Sequence, residues 1–160
     1  MLIIVAALRV SVAGYAQEKG SMAAGANLNL GFAYDGDYNN VGIGFKYQYS
    51  VTDQIRIEPE FTYFFKKDYV SMWDLMVNAH YIFKVADNKV NLYPIVGLGV
   101  LGTKASYYGY SSSDTDLGVN LSGGAEYRLT PNIIVGAELK YQLASDWDHL
   151  GLQVGVTYSF

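Results

Sequence analysis

From Leu150 to the end of the chain, large apolar residues occupy every second position. They are Leu150, Leu152, Val154, Val156, Tyr158 and Phe160, with Gly151, Gln153, Gly155, Thr157 and Ser159 between them. Successive side chains of a β-strand point to opposite faces, so this segment has one wholly apolar face and one small, polar face. The chain then ends on an aromatic residue with no polar tail.

The same period of two runs upstream almost without interruption from Ser21. Alternating segments cover 22–33, 41–49, 55–63, 73–83, 91–100, 117–128, 133–142 and 150–160. The fourth is the least regular, because Met76 and Ile82 share its polar side with Asp74, Asn78 and His80. Short turns are expected at 52–54, 84–89 and 129–132, and longer or more polar connections at 35–40, 64–71, 102–116 and 143–148. Eight strands joined by hairpins, with short and long connections alternating, predict an antiparallel up-and-down barrel.

Composition supports strands over helices. Charged residues are 16% of the chain, against about 25% in ordinary soluble domains. Fifteen tyrosines and seventeen glycines stand against three prolines. The net charge of −4 gives no footing for nucleic acid. Without cysteine there is no disulfide, thiolate metal site or lipid-modified thiol. Residues 1–16 differ from the rest: Leu2–Leu8 is a short apolar run, and Gly14-Tyr15-Ala16 offers small residues where a signal peptidase reads. A signal peptide over 1–16 is expected, with 17–160 as the barrel domain. No stretch approaches the roughly eighteen apolar residues of a transmembrane helix.

Alternation alone leaves open which face meets water, since a lipocalin-like soluble barrel also alternates. Three features favour a membrane barrel. The polar face is mostly Gly, Asn, Ser, Ala and Thr, which suits the cramped interior of eight strands better than a solvated exterior. Aromatic residues gather near strand ends: Tyr47, Tyr49, Tyr81, Phe83, Tyr127, Tyr158 and Phe160 toward one rim, and Tyr34, Phe61, Tyr63, Trp73, Tyr141 and Trp147 toward the other. Two such girdles match the two bilayer interfaces. Tilted strands of about ten residues also reach the ~25 Å of the outer-membrane apolar band. Hydrocarbon offers no hydrogen-bond partners, so the sheet must close and Leu150–Phe160 must pair with the first strand.

On these residues the chain resembles the small eight-stranded outer-membrane β-barrel family of Gram-negative bacteria, the OmpA/OmpX-type and opacity-protein-like barrels. The last strand, Val154-Gly155-Val156-Thr157-Tyr158-Ser159-Phe160, is similar to the terminal signal read by the barrel-assembly machinery. Val154, Val156, Tyr158 and Phe160 would carry that signal. Pro94-Ile95-Val96-Gly97-Leu98-Gly99 and Leu121-Ser122-Gly123-Gly124-Ala125-Glu126-Tyr127-Arg128 also resemble family strands. The resemblance implies outer-membrane localisation, lipid contact and passage through the assembly machinery.

Charged residues on the inward face form the one constellation with chemistry. Lys46, Arg56, Arg128 and Lys140 oppose Glu58, Glu60, Asp74, Glu126 and Glu138, with His80 nearby. They read either as a salt-bridge plug or as an ion path, and the narrow lumen of eight strands favours the plug. No catalytic, cofactor or metal residues are expected. His149 with Ser145, Asp146 and Asp148 is a loose polar cluster, and Asp114-Thr115-Asp116 has too few ligands for Ca²⁺. Tyr107, Tyr108 and Tyr110, in the longest predicted loop, give amphipathic surface for a surface or periplasmic protein partner. The expected role is structural or surface-interacting. The alternatives are a narrow porin-like channel for ions or small molecules and a lipid-modifying outer-membrane enzyme.

Overall fold

The computed structural model describes residues 19–33, 39–67, 70–85, 89–107, 109–144 and 147–160. The segment read as a signal peptide lies outside these residues. Nine strand segments follow in order: β1 (Met22–Ala33), β2 (Asn39–Ser50), β3 (Ile55–Lys67), β4 (Val70–Tyr81), β5 (Phe83–Val85), β6 (Val90–Tyr107), β7 (Tyr110–Arg128), β8 (Ile133–Ala144) and β9 (Trp147–Ser159). Each pairs antiparallel with its neighbour, β9 pairs with β1, and β4 and β5 both pair with β6. The sheet is therefore a closed barrel of eight staves, the fourth built from β4 and β5. The alternating segment at 150–160, which falls in β9 up to Ser159, is a seam rather than an edge: Leu28 lies opposite Val154 and Ala24 opposite Tyr158.

Of the irregularities in the ladder, two involve a proline, and the third is the β3–β4 register shift between Phe64 and Lys67. His80 pairs with Ile95 and Phe83 with Leu92 in one unbroken register, but the strand lapses at Ile82, beside the position opposite Pro94. The β2–β3 ladder has its gap between Lys46↔Glu60 and Tyr49↔Ile57, where Pro59 falls. Proline has no N–H to donate, which removes a rung. The Ile82 amide donates to the Gln54 carbonyl at 2.7 Å, continuing the β3–β4 ladder past Ile55↔Tyr81.

Register fixes the shape of the barrel. A circuit from Ala23 through Gln48, Glu58, Asn78, Gly97, Asn120, Gln142 and His149 returns to the first strand at Ala33, ten residues from its start. With a rise of ~3.3 Å per residue and ~4.8 Å between staves, that offset tilts the strands by roughly 40°. Ten tilted residues then rise about 25 Å, the height of an outer-membrane apolar band.

The two faces separate as the alternation requires. Leu28, Phe45, Val77, Val96, Leu98, Leu139 and Val156 are exposed on the outside, whereas the buried set is dominated by Asn, Gln, Glu, Lys, Arg and Thr. Apolar side chains inside are few: Phe64, Met72, Met76 and Leu101 along one half, and Ile82, Tyr93, Ile95 and Ile134 along the other. Such an inversion is stable only where the exterior solvent is apolar. Among the described residues, members of both expected girdles meet; Tyr34 and the side chain of Trp147 lie outside them. Phe61 stacks on Trp73 at 6.3 Å, Tyr81 lies 4.9 Å from Phe83, and Phe160 contacts Tyr47 and Tyr158 at 6.4 and 6.3 Å.

Three expected loops are shorter than their composition suggests. The stretch read as a long loop over 102–116 is a hairpin, with β6 and β7 paired from Gly102↔Thr115 to Tyr107↔Tyr110. Its backbone pairs satisfy a ladder, and Gly109, at φ 82°, supplies the left-handed residue that a tight turn demands. Likewise β3 runs on to Lys67 with β4 restarting at Val70, and β8 and β9 extend to Ala144 and from Trp147.

Candidate functional site

Inward-facing positions of β1, β2, β3, β4, β6, β7, β8 and β9 bring a continuous polar network into the lumen. Its hub is Glu60 on β3, which is 1% exposed. One oxygen accepts from the Lys140 ammonium on β8 and from the Thr62 hydroxyl at 3.4 Å. The other accepts from Gln153 on β9 at 3.0 Å and Asn27 on β1 at 3.3 Å. Gln153 donates also to Glu138 at 3.2 Å, and Glu138 in turn accepts from the Tyr93 hydroxyl at 3.1 Å. Lys46 stands 3.4 Å from Glu138 and 3.7 Å from Glu58.

Toward the short-turn rim lies a second cluster. Arg56 donates to both oxygens of Glu126, at 3.0 and 3.2 Å, and Asn91 supports the same carboxylate at 2.8 Å. Arg56 also donates to Nδ1 of His80, from Nε at 3.2 Å and from its second amino group at 2.9 Å. A guanidinium has donors only, so His80 Nδ1 accepts and Nε2 carries the hydrogen. That places a neutral imidazole 3.5 Å from Glu58 Oε1. Tyr93 completes the group, with its ring stacked on His80 at 5.0 Å and under Arg56 at 4.9 Å.

Close approach in this lumen depends on residues without side chains. A Cβ at Gly124 would stand 2.6 Å from the Tyr93 ring, and one at Gly97 would meet the Asn78 carboxamide. At these two positions the polar face carries glycine where the neighbouring stave sends in a large group.

Nine of the ten residues assigned to the charge network from sequence are buried in it: Lys46, Arg56, Glu58, Glu60, Asp74, His80, Glu126, Glu138 and Lys140. Arg128 is not drawn into the middle. It sits at the rim and donates to the Pro131 carbonyl of the adjoining turn at 2.8 Å. Asp74 is inside, yet it makes no ion pair among the described residues. Gln142 donates to Oδ2 at 3.2 Å, and Oδ1 has no hydrogen-bond partner. Sequence reasoning passed over the neutral members, Asn27, Gln48, Asn78, Tyr93, Asn91, Gln142 and Gln153. Their shared parity with the charged positions was the available signal. Tyr108 and the side chains of Tyr107 and Tyr110 lie outside the described residues, as do Ser145, Asp146 and the side chains of Asp148 and His149.

Among the described residues, small voids flank the network. One void of about 10 Å³ lies near the short-turn rim beside Gln48, Ser50 and Arg56, and another of about 10 Å³ lies beside Asn29, Phe64, Asp74 and Gln142. Each is about the room one water needs.

A closed eight-stave barrel with an apolar exterior, two aromatic girdles and a charged interior is a fold for a bilayer. The family model described as outer membrane protein beta-barrel domain matches residues 2–160. The chain belongs to this family. It is a barrel of the Gram-negative outer membrane, and its solved structural neighbours share the fold. Neisserial surface protein A is similar at a TM-score of 0.72 and 18% identity, covering 88% of this chain and 96% of that one. The N-terminal β-barrel domain of Pseudomonas aeruginosa OprF is similar at 0.70 and 20% identity, covering 90% and 100%. Ail, the attachment invasion locus protein of Yersinia pestis, is similar at 0.65 and 22% identity, covering 89% and 99%. A comparison with curated protein sequences gives no match.

Proposed function

We propose that this outer-membrane barrel is non-conducting and acts through its surface, with a lumen closed by its own charged side chains. The filled lumen carries the reading. Glu60, Lys140, Glu138, Gln153 and Lys46 meet across the barrel from four staves, and the voids on either side hold about one water each. An ion would have to displace a bonded network to pass. We assign the protein no catalytic step.

The tall hairpin supports a role at the surface. Pairing of β7 with β8 begins at Gly118↔Ala144, whereas its pairing with β6 runs on to Tyr110. One edge of β7 over 110–117 therefore carries no ladder among the described residues, and Leu117 at its base is 80% exposed. Unpaired strand edges recruit extended segments of other chains. Short turns face the periplasm in bacterial barrels, which sets this hairpin outside the cell. The partner is a protein that presents an extended segment, and Tyr107↔Tyr110 is the last pair before the tip. Residues 1–16 serve as the cleaved export signal, and Val154, Val156, Tyr158 and Phe160 as the signal to the assembly machinery.

Single-channel recording in planar bilayers tests the closed lumen. Silent membranes containing heat-modifiable, folded barrel are expected, and steady unitary currents would replace this reading with a narrow channel.

A further inference from the structure

We infer that the lumen holds one divalent, oxygen-preferring cation between Glu58, Glu60 and Glu138. Each of these buried carboxylates offers an oxygen, and the three oxygens lie within 4.8 Å of one another. Oxygens on opposite sides of a calcium ion, at ~2.4 Å each, stand about 4.8 Å apart. Two staves, β3 and β8, already bring the three carboxylates within that span.

Local charge favours an added cation. Arg56 is committed to Glu126 and donates to a neutral His80. Glu58, Glu60, Glu138 and Asp74 are left to share two ammonium groups, Lys46 and Lys140. Lys140 is held closely on Glu60. Lys46, at 3.4 and 3.7 Å, is farther from its carboxylates than the ~2.7–2.9 Å of a charge-assisted hydrogen bond, so it is the group an ion would displace.

Independent of the carboxylates, Gln153 points to a ligand. It is 1% exposed and its carboxamide sits against Glu60 and Glu138, yet its Oε1 has no hydrogen-bond partner, and neither has Glu58 Oε1. A half-turn of the amide gives the ion a neutral fourth oxygen. His80 Nε2 carries a hydrogen and does not ligate. An all-oxygen set of carboxylates and an amide selects a hard cation such as Ca²⁺ or Mg²⁺ over zinc or copper. The inference rests on the plugged-lumen reading for its closed interior, and the two fail separately. Current through a calcium-loaded barrel would remove the plug alone, and a silent barrel without metal would remove the site alone.

The test uses the chain refolded in detergent with CaCl2, gel-filtered, and assayed for calcium by atomic emission and for thermal unfolding with calcium or EDTA. One equivalent of calcium is expected, with unfolding at a higher temperature than in EDTA. Glu58→Gln and Glu138→Gln should abolish retention. Lys46→Met should bind about tenfold more tightly, and calcium should restore the stability that this variant loses in EDTA. That rescue stands even where the carboxylate variants do not fold. The inference is overturned if wild type and Lys46→Met retain no calcium and unfold alike in calcium and EDTA. It is equally overturned if binding survives Glu58→Gln and Glu138→Gln but is lost with Asp116→Asn at the rim.

Discussion

Replacing Glu60 with alanine is the sharpest perturbation of this barrel. The glutamate is 1% exposed and accepts from Lys140, Thr62, Gln153 and Asn27. Removing it strands the Lys140 ammonium, 6% exposed, in a lumen with no other carboxylate bonded to it. Breaking a buried ion pair on one side costs about 3–5 kcal/mol. With a urea dependence of about 2–3 kcal/mol per molar, the unfolding midpoint should fall by roughly 1–2 M. The double variant Glu60→Leu/Lys140→Met removes both charges and should recover much of that loss, because apolar replacement of a complete buried pair is often close to neutral. Recovery should be partial, since Asn27 and Gln153 still lose an acceptor. Urea titration of the refolded barrel, followed by tryptophan fluorescence and by gel mobility without heating, measures these two variants and the single variants Glu60→Leu and Lys140→Met. An unchanged midpoint for Glu60→Ala would refute the plug energetics. So would a double variant as unstable as the two single losses added together, because the pair would then have no coupling.

Further outcomes follow from the two faces and the seam. Val96 lies midway between Val90, opposite Tyr127, and Gly102, opposite Trp73, so Val96→Arg should cost about 2–4 kcal/mol by urea titration in lipid, whereas Tyr158→Arg at the girdle should cost at most about 1. Gly124→Ala puts a Cβ 2.6 Å from the Tyr93 ring and should destabilise by about 1–3 kcal/mol while changing the near-ultraviolet dichroism of the tyrosine. Phe160→Ala removes contacts with Tyr47 and Tyr158 and should lower stability in detergent by only about 0.5–1.5 kcal/mol. Its loss should show far more strongly as unassembled protein in cell fractions, if the terminal residue is an assembly signal.

Where sequence and structure part, each cause lies outside what a local alternation can report. Gly102–Asp116 reads as a loop because its Ser, Gly and Tyr residues lack an apolar alternation, and alternation reports only on strands with a buried or lipid-facing side. Beyond the bilayer the β6–β7 ladder needs no such side, so the strands continue unannounced. The lapse at Ile82 was invisible for another reason. Its cause is Pro94, on a different stave, which comes opposite only once the register is set. Arg128 shares the parity of Glu126 and was placed with it, but parity says which face a residue takes and not how deep it lies.

By itself the sequence determined the strands, their number, the inward and outward faces and the two aromatic belts. All of these follow from a period of two within single strands, a local property that each stretch carries in its own residues. Only the closed structure decided who meets whom inside. Lys140 reaches Glu60 and Arg56 reaches Glu126 across 80 and 70 positions of chain. Those meetings depend on the ten-residue offset between first and last staves, a sum of every register around the ring. No single segment encodes that sum. The β9 strand shows both sides: its alternation is plain in the sequence, while Gln153 becomes the bridge between Glu60 and Glu138 only because the barrel closes there.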